Sequence, residues 1–321
     1  MTTASGRRLF LKAVGPKPNP DSPDVHQEDV FAAVLPPDVP SPRLLWSLDE
    51  GPGGWVVLAF EDAGGRPPRL PWREDELGRV VGAIEAMHQA LTPSPIEAPD
   101  AGEVMAEAIC GWRILACERP AGLDPWSARH LHRLARLETG VAEAVRGDTL
   151  VHMDLRADNL LLCGRRVWVV DWPHARRGAP WLDAVAMAPS VAMQGGPGPE
   201  AFLRRFPSAA AADAASVDAA VAAIAGYFTR MSLSPPPPGL PTLRAFQAPG
   251  GGRAALAWGA TWPRRKLLGQ GGDPGRDAYP IHLSHRYRPG RGAAGKAPRR
   301  EPAVGASRTG SPGPVAPEPH P

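Results

Sequence analysis

The sequence predicts an α+β fold in which a small strand-rich part precedes a larger, mainly helical part. Short apolar runs bounded by Gly and Pro, which are typical of strands, dominate the first 64 residues, apart from one predicted helix. From residue 74 onward the apolar residues recur mainly at helical spacing. With 321 residues and 43% apolar content, the chain can bury a sizeable core.

The first strand and helix carry two charged residues of interest. Segment 7–15, RRLFLKAVG, predicts a strand that carries Lys12, one of only four lysines. A helix is expected to begin near Ser22, which is a suitable N-cap residue, and to stop before Pro36. Glu28 shares a face of this helix with apolar residues three and seven positions later, so we expect it to point inward. A solvated lysine and an exposed helical acid remain the alternatives.

Two further strands complete the N-terminal part. Residues 43–47 predict a short strand, and residues 55–60 predict a strongly apolar one that ends in EDAGG. Helices are predicted over residues 74–91, 101–117, 125–145, 199–206 and 216–231. Residues 271–321 are rich in Gly, Pro, Arg and Ala and lack periodicity, which predicts disorder. We therefore predict three regions, 1–64, 65–270 and 271–321.

Charge, hydropathy and cysteine spacing limit which binding partners and which cellular location the sequence predicts. The formal net charge of +3 comes mostly from the C-terminal tail, so no nucleic-acid partner is expected for the body. No apolar run is long enough to span a bilayer, which predicts no membrane partner and a cytoplasmic location. Three cysteines without CxxC spacing suggest neither a disulfide framework nor a thiolate zinc site. The sequence does not predict an oligomeric state.

The most informative stretch, residues 150–188, contains the pattern HxDxxxxN as His152, Asp154 and Asn159. Two short apolar strands follow, joined by a Cys-Gly-Arg-Arg turn, and Asp171 comes directly after the second. Such a hairpin returns the chain to its start, so Asp171 is expected close to Asn159. A carboxylate beside an amide oxygen suits Mg²⁺ bound to phosphates. Asp154, on the loop entering the hairpin, could then orient a hydroxyl group for phosphoryl transfer.

These residues, in HMDLRADN and DWPHA, resemble the catalytic and metal loops of the aminoglycoside phosphotransferase and choline kinase family, relatives of protein kinases. The resemblance implies a protein-kinase-like two-lobed fold, ATP or GTP with Mg²⁺ as cofactors, and a small-molecule hydroxyl acceptor. It makes Asp154 the catalytic base, Asn159 and Asp171 the metal ligands, and His152 a scaffold residue. Asp183, in WLDAVAM, would brace the catalytic loop. Met153 stands where the family usually has glycine.

The resemblance extends upstream and covers roughly residues 7 to 268. It implies that Lys12 and Glu28 form the ion pair that holds the nucleotide phosphates. It also implies that Glu61 and Ala63 belong to a hinge that contacts a purine through backbone groups. Only eleven residues precede Lys12, however, where the family has two strands and a phosphate-covering loop. We therefore expect an incomplete N-lobe and hypothesise a truncated or late-started reading frame.

Three functions are compatible with these patterns. The first is an ATP- or GTP-dependent O-phosphotransferase that acts on a small polar molecule. The second is a non-catalytic pseudokinase that lacks the nucleotide-covering loop. The third is a metal-dependent hydrolase using His152, His174 and the aspartates, which would need more ligands at tight spacing. Turnover of nucleotide with Mg²⁺ would separate the first from the second.

Overall fold

A computed structural model describes residues 1–3, 6–15, 31–51 and 54–235, all within one compact unit, Met1–Gly272. The predicted tail 271–321 and most of the predicted helix before Pro36, including Glu28, lie outside the described residues. None of the described helices is both long and apolar enough to cross a bilayer.

A three-stranded antiparallel sheet forms the N-terminal part, as predicted. It contains β1 (Leu9–Val14), β2 (Leu44–Asp49) and β3 (Val56–Glu61) in the order β1-β3-β2. Lys12 lies opposite Leu58, which is fully buried, so the two side chains share the inner face of the sheet. The sheet thereby points Lys12 toward the interior of the molecule.

The remainder of the described chain is mainly helical, with one large apolar core. The helices are α1 (Glu74–Ala90), α2 (Ala101–Ala108), α3 (Gly111–Glu118), α4 (Pro125–Glu138), α5 (Val141–Ala144), α6 (Leu182–Met193), α7 (Pro199–Leu203), α8 (Pro207–Ala211) and α9 (Ala214–Leu233). The predicted α+β fold class is confirmed. The region boundaries after residues 64 and 270 stay predictions.

The single helices predicted over 101–117 and 125–145 are wrong, because each is two helices in the structure. The first break precedes Gly111, where α3 crosses α9 so closely that a Cβ atom would collide with the carbonyl group of Gly226. Buried Glu138 then accepts hydrogen bonds from the backbone N–H groups of the two residues after Gly111, at 3.0 and 2.9 Å. These contacts join residues far apart in sequence, so helical periodicity does not reveal them.

Two small sheets carry the central motif. A hairpin of β5 (Leu160–Cys163) and β6 (Arg166–Val169) follows a short 3₁₀ helix, Ala157–Asn159, as the sequence predicts. A second sheet pairs β4 (Thr149–Val151) with β7 (Arg176–Gly178). This pair was not predicted, because strands of three residues are too short to show an alternating pattern.

The β5–β6 hairpin is tied to the N-terminal part from two sides. Arg66, on the linker after β3, exchanges two backbone hydrogen bonds with Leu162 of β5, at 3.2 and 2.7 Å. Val169 of β6 donates to the carbonyl group of Pro40, ahead of β2, at 2.6 Å. The hairpin therefore has a fixed position against the linker and the sheet.

An ion pair between Arg66 and Glu76 fixes the linker to α1 and should make the stability of the protein depend on pH. Arg66 lies 2.5 Å from buried Glu76, and the hydrogen bond from Arg66, with a second from the Arg69 backbone, lowers the pKa of Glu76 to about 2 despite burial. Because the pKa of Glu76 is lower in the folded protein than in the unfolded chain, where it is near 4.5, the ionised carboxylate stabilises the fold above that pH. This stabilisation is lost as the pH falls toward 2. Wild-type protein should lose more stability than Glu76→Gln between pH 5 and about pH 2.5. Urea denaturation at both pH values measures this, and equal losses would contradict the assignment.

Candidate active site

The loop between β4 and β5 places Asp154 and Asn159 in direct contact. Asn159 is 5% exposed and ends the 3₁₀ helix, which orients its side chain back toward the loop. Its Nδ2 donates to the Asp154 carbonyl oxygen at 2.8 Å and to the Asp154 carboxylate at 3.1 Å. Because Asp154 takes the amide nitrogen, the Oδ1 oxygen of Asn159 is the atom left for a cation.

Asp171 joins this pair through the hairpin. Leu160 lies opposite Val169, and the N–H group of Val170 donates to the Asn159 carbonyl group at 3.0 Å. Asp171 is the next residue, so the hairpin brings it beside Asn159. From the inner face of the N-terminal sheet, the Lys12 ammonium group reaches within 2.5 Å of the Asp171 carboxylate. The structure thus brings Lys12, Asp154, Asn159 and Asp171 together.

Asp183 braces the loop ahead of Asp154, as the resemblance implies. Its fully buried carboxylate accepts from the N–H groups of His152 and Met153 at 2.8 and 2.7 Å, and lies 2.9 Å from His88 Nε2. Burial alone would raise the pKa of Asp183, but the hydrogen bond and charge of His88, with the nearby His152, outweigh it and lower the pKa. Asp183 is therefore an ionised acceptor at the base of the loop.

His152 serves as internal scaffold. Its ring is fully buried, its Nδ1 accepts from the N–H group of Asp154 at 3.2 Å, and its Nε2 lies 3.0 Å from the Val170 carbonyl group. Burial lowers the pKa of His152 against the opposing charge of Asp183. The neutral ring, protonated at Nε2, thus links the loop before Asp154 to the end of β6.

Met153 adopts a backbone conformation that favours glycine. Its φ angle is 67°, in the left-handed region, which costs a residue with a side chain roughly 1–2 kcal/mol. Glycine, which the resemblance implies at this position, would adopt the same backbone without that cost. Here the two hydrogen bonds to Asp183 hold the strained backbone in place.

Burial raises the pKa of Asp154, and the charge of Arg156 opposes this most strongly. A guanidinium nitrogen of Arg156 lies 3.5 Å from the Asp154 carboxylate and 3.2 Å from Asp158. His174 and Asp171 also act on Asp154 through their charges, so all three lie in one electrostatic environment. Asp154 is a carboxylate that is partly desolvated yet beside a cation.

In the segment predicted as a hinge, the acidic side chains form ion pairs with arginines of the same lobe. The Glu61 carboxylate accepts from the Arg43 backbone at 3.0 Å and faces the Arg43 guanidinium at 3.6 Å. Asp62 pairs with Arg8 at 2.6 Å. Ala63 is partly exposed and makes no backbone hydrogen bond within the described chain. A ligand at this segment would meet backbone groups, and the predicted purine contact of Glu61 and Ala63 stays a prediction.

Two residues of the site were missed from sequence. His88 lies on the buried face of α1, one helical turn after Ile84, and a histidine among apolar helical positions was an available signal. The other is Arg156, which pairs with Asp154, and nothing in a sequence with so many arginines distinguishes it from a solvated one. The predicted partner of Lys12, Glu28, lies outside the described residues.

The donor set fits Mg²⁺ only together with phosphate oxygens. Within residues 1–3, 6–15, 31–51 and 54–235, no three His, Cys, Asp or Glu side chains cluster so that they could hold a metal by themselves. Asn159 and Asp171 supply two oxygen ligands, and Mg²⁺ is commonly bound by one or two protein ligands plus substrate phosphates and waters. The Lys12 ammonium beside Asp171 shows that this position accepts a cation.

Comparison with known families decides the class of protein. The family model of the phosphotransferase enzyme family matches residues 1–220, more than half of the chain. The chain belongs to the phosphotransferase enzyme family. The prediction of a small-molecule phosphotransferase is thereby confirmed. Among curated protein sequences, none is similar enough to count as a match to this phosphotransferase.

Solved structures share the fold of this phosphotransferase at low sequence identity. A thermostable mutant of aminoglycoside phosphotransferase APH(4)-Ia, in ternary complex with ADP and hygromycin B, is 16% identical with a TM-score of 0.55, covering 79% of this chain and 87% of that one. An aminoglycoside phosphotransferase from Alicyclobacillus acidocaldarius is 17% identical with a TM-score of 0.51, covering 83% and 89%. Amicoumacin kinase hAmiN, in complex with AMP-PNP, Ca²⁺ and Ami, is 12% identical with a TM-score of 0.51, covering 79% and 82%. The two-lobed kinase-like fold is confirmed.

Proposed function

We propose that this phosphotransferase moves the terminal phosphoryl group of ATP, or of GTP, to a hydroxyl group of a small polar molecule. The observation that carries the proposal is the contact of Asn159 with Asp154, beside an Asp171 that already binds a cation, Lys12. The Asp154 carboxylate faces the loop, and the Asp171 carboxylate faces the N-terminal sheet. This separation suits an acceptor hydroxyl at Asp154 and nucleotide phosphates at Asp171.

Asp154 acts in this proposal as the base that orients the acceptor. Phosphoryl transfer passes through a loose transition state, so the hydroxyl proton leaves late and an ordinary carboxylate is basic enough. The Asn159 amide and the Arg156 guanidinium fix one oxygen of Asp154. The other oxygen is then oriented to accept a hydrogen bond from the substrate.

Asn159 and Asp171 would hold Mg²⁺ through the amide oxygen and the carboxylate. When bound, Mg²⁺ supplies charge neutralisation on the phosphate oxygens. Lys12 would then exchange its contact with Asp171 for the α- and β-phosphates. This exchange costs little, because Asp171 is 37% exposed and such pairs contribute about 0–1 kcal/mol. The backbone of the segment from Glu61 to Ala63 would receive the purine.

The acceptor is proposed to be a small polar alcohol that also bears an amine; one structural relative was solved in complex with hygromycin B. The experiment that tests the function is phosphate transfer from [γ-³²P]ATP and [γ-³²P]GTP, with Mg²⁺, to a panel of aminoglycosides and amino alcohols. We expect a labelled product that wild type forms and Asp154→Asn does not. No labelled product and no nucleotide turnover would favour the pseudokinase instead.

A further inference from the structure

A polar residue, His88, lies on the buried face of α1. The other buried residues of this helix are apolar, apart from Glu76, which binds the linker. His88 is 2% exposed, and its Nδ1 atom has no hydrogen-bond partner among the residues that the structure describes. A buried polar atom without a partner costs stability, and a leucine at the same position would avoid that cost. Packing alone therefore does not account for a histidine at this position.

The other ring nitrogen of His88 makes a specific contact. Nε2 lies 2.9 Å from Oδ2 of Asp183, on α6, and both side chains are buried. Because the ionised Asp183 can only accept, Nε2 carries the proton of this hydrogen bond. The same Asp183 carboxylate accepts from the N–H groups of His152 and Met153, at 2.8 and 2.7 Å. His88 is thus a third donor to the carboxylate, and it approaches from α1 instead of from the loop.

A short chain of hydrogen bonds leads from His88 to Asp154. The Asp183 carboxylate binds the backbone of His152, and the His152 ring accepts from the N–H group of Asp154 at 3.2 Å. The first two bonds of this chain, from His88 to Asp183 and from Asp183 to His152, are buried, where hydrogen bonds are stronger than in water. The orientation of Asp154 therefore depends on buried residues that an acceptor does not reach.

The end of α1 holds His88 in a fixed position. The His88 carbonyl group accepts from the Thr92 hydroxyl at 2.6 Å, and that hydroxyl lies 2.7 Å from the Thr149 hydroxyl of β4. Leu150 of β4 donates to the carbonyl group of Leu91 at 3.0 Å. Since β4 leads directly into the loop between β4 and β5, His88 contacts this loop from a framework that is tied to the start of the same loop.

We propose that His88 is a positioning residue for phosphoryl transfer, which holds Asp183 and, through it, the loop that points Asp154 at the acceptor hydroxyl. This inference rests on the proposed function, because it gives Asp154 the role of base. Electrostatics supports it. Burial acts to raise the pKa of Asp183, and the hydrogen bond and charge of His88 are the largest effects that lower it. His88 thereby keeps the carboxylate ionised, as an acceptor for both N–H groups of the loop.

Two substitutions of His88 test the inference through the rate of transfer. His88→Leu fills the space but removes the donor, and should lower kcat by about tenfold or more, since small displacements of a reacting group cost large factors in rate. KM for the nucleotide should stay within about twofold, because Asn159 and Asp171 are unchanged. His88→Gln retains a side-chain N–H donor and should keep kcat within about threefold of wild type.

Ile84→Ala is the matched control for loss of packing. Ile84 is fully buried on the same face of α1, one turn before His88. The substitution removes apolar contacts and should lower the midpoint of urea denaturation, as truncation of a core residue does. Its kcat should stay within about twofold of wild type, because the donor to Asp183 is retained. A loss of kcat in His88→Leu but not in Ile84→Ala separates positioning from general packing.

Amide hydrogen exchange measures the same contact without turnover. Asp183 protects the N–H groups of His152 and Met153, so a loop that His88 no longer holds should exchange faster. The exchange rate of peptide 150–160, divided by that of strand β3, removes the contribution of global unfolding. This ratio should rise by about tenfold or more in His88→Leu and stay within about twofold of wild type in Ile84→Ala.

The outcomes distinguish this inference from the proposed function. If no alcohol receives phosphate in an Asp154-dependent manner, the proposed function is wrong, and the exchange ratio alone decides whether His88 holds the loop. If transfer occurs but His88→Leu keeps kcat within about threefold of wild type, or Ile84→Ala loses as much, the inference is overturned. An exchange ratio that is equal in His88→Leu and wild type also overturns it.

Discussion

Asp154→Asn should lower kcat for phosphoryl transfer by a factor of about 10²–10⁴, the range for loss of a positioned general base. The amide keeps the shape of the carboxylate but cannot accept the proton of the acceptor hydroxyl. The affinity for Mg·AMP-PNP should stay within about threefold, because Asn159 and Asp171 remain in place. Steady-state kinetics with the acceptor found in the screen, together with a nucleotide titration, measure both quantities.

Two comparisons make the Asp154 result specific. Asp158→Asn makes the same charge change on the same loop at a side chain that is 67% exposed, and should change kcat by less than about threefold. Asp154→Asn should leave the free energy of unfolding unchanged or raise it by up to about 1 kcal/mol. Burial raises the pKa of Asp154, which shows that its charge is costly to bury, and the substitution removes that charge. Equal kcat in Asp154→Asn and wild type would refute the role of base.

Asp183→Ala should lower the free energy of unfolding by about 3–5 kcal/mol. The substitution leaves the N–H groups of His152 and Met153 and the Nε2 atom of His88 without their acceptor in the interior. Urea denaturation monitored by tryptophan fluorescence measures the loss.

The isosteric change Asp183→Asn provides the control for the Asp183 prediction. The amide retains one acceptor oxygen, so it should cost less than alanine but more than a surface substitution, which is usually within about 0.5 kcal/mol. A loss below about 1 kcal/mol for Asp183→Ala would show that the loop does not depend on this carboxylate.

The strands and the central motif could be predicted from sequence because their signals are local. The strand around Lys12 and the hairpin after Asn159 are short apolar runs with clear turn residues at their ends. The spacing from Asp154 to Asn159 and the return of the hairpin to Asp171 follow from those same few residues. Local sequence signals were therefore sufficient to predict that Asp154, Asn159 and Asp171 lie close together.

Other features depend on contacts between distant segments. The helix break before Gly111 arises from a close crossing with Gly226 and from capping by Glu138, and neither partner is adjacent in sequence. The pairing of His88 with Asp183 joins residues 95 positions apart. The left-handed backbone at Met153 depends on Asp183 in the same way. Such effects become visible only once the chain is folded.

The metal-dependent binding of nucleotide tests the central claim most directly. Isothermal titration of AMP-PNP with and without Mg²⁺ should show that wild type binds the nucleotide more tightly with the metal. Asp171→Asn should weaken that binding by about tenfold or more, as expected when an oxygen ligand loses its charge. Asp154→Asn should bind as wild type does. Identical titrations for wild type and Asp171→Asn, or binding that does not respond to Mg²⁺, would contradict the assignment of Asn159 and Asp171 to a metal–nucleotide site.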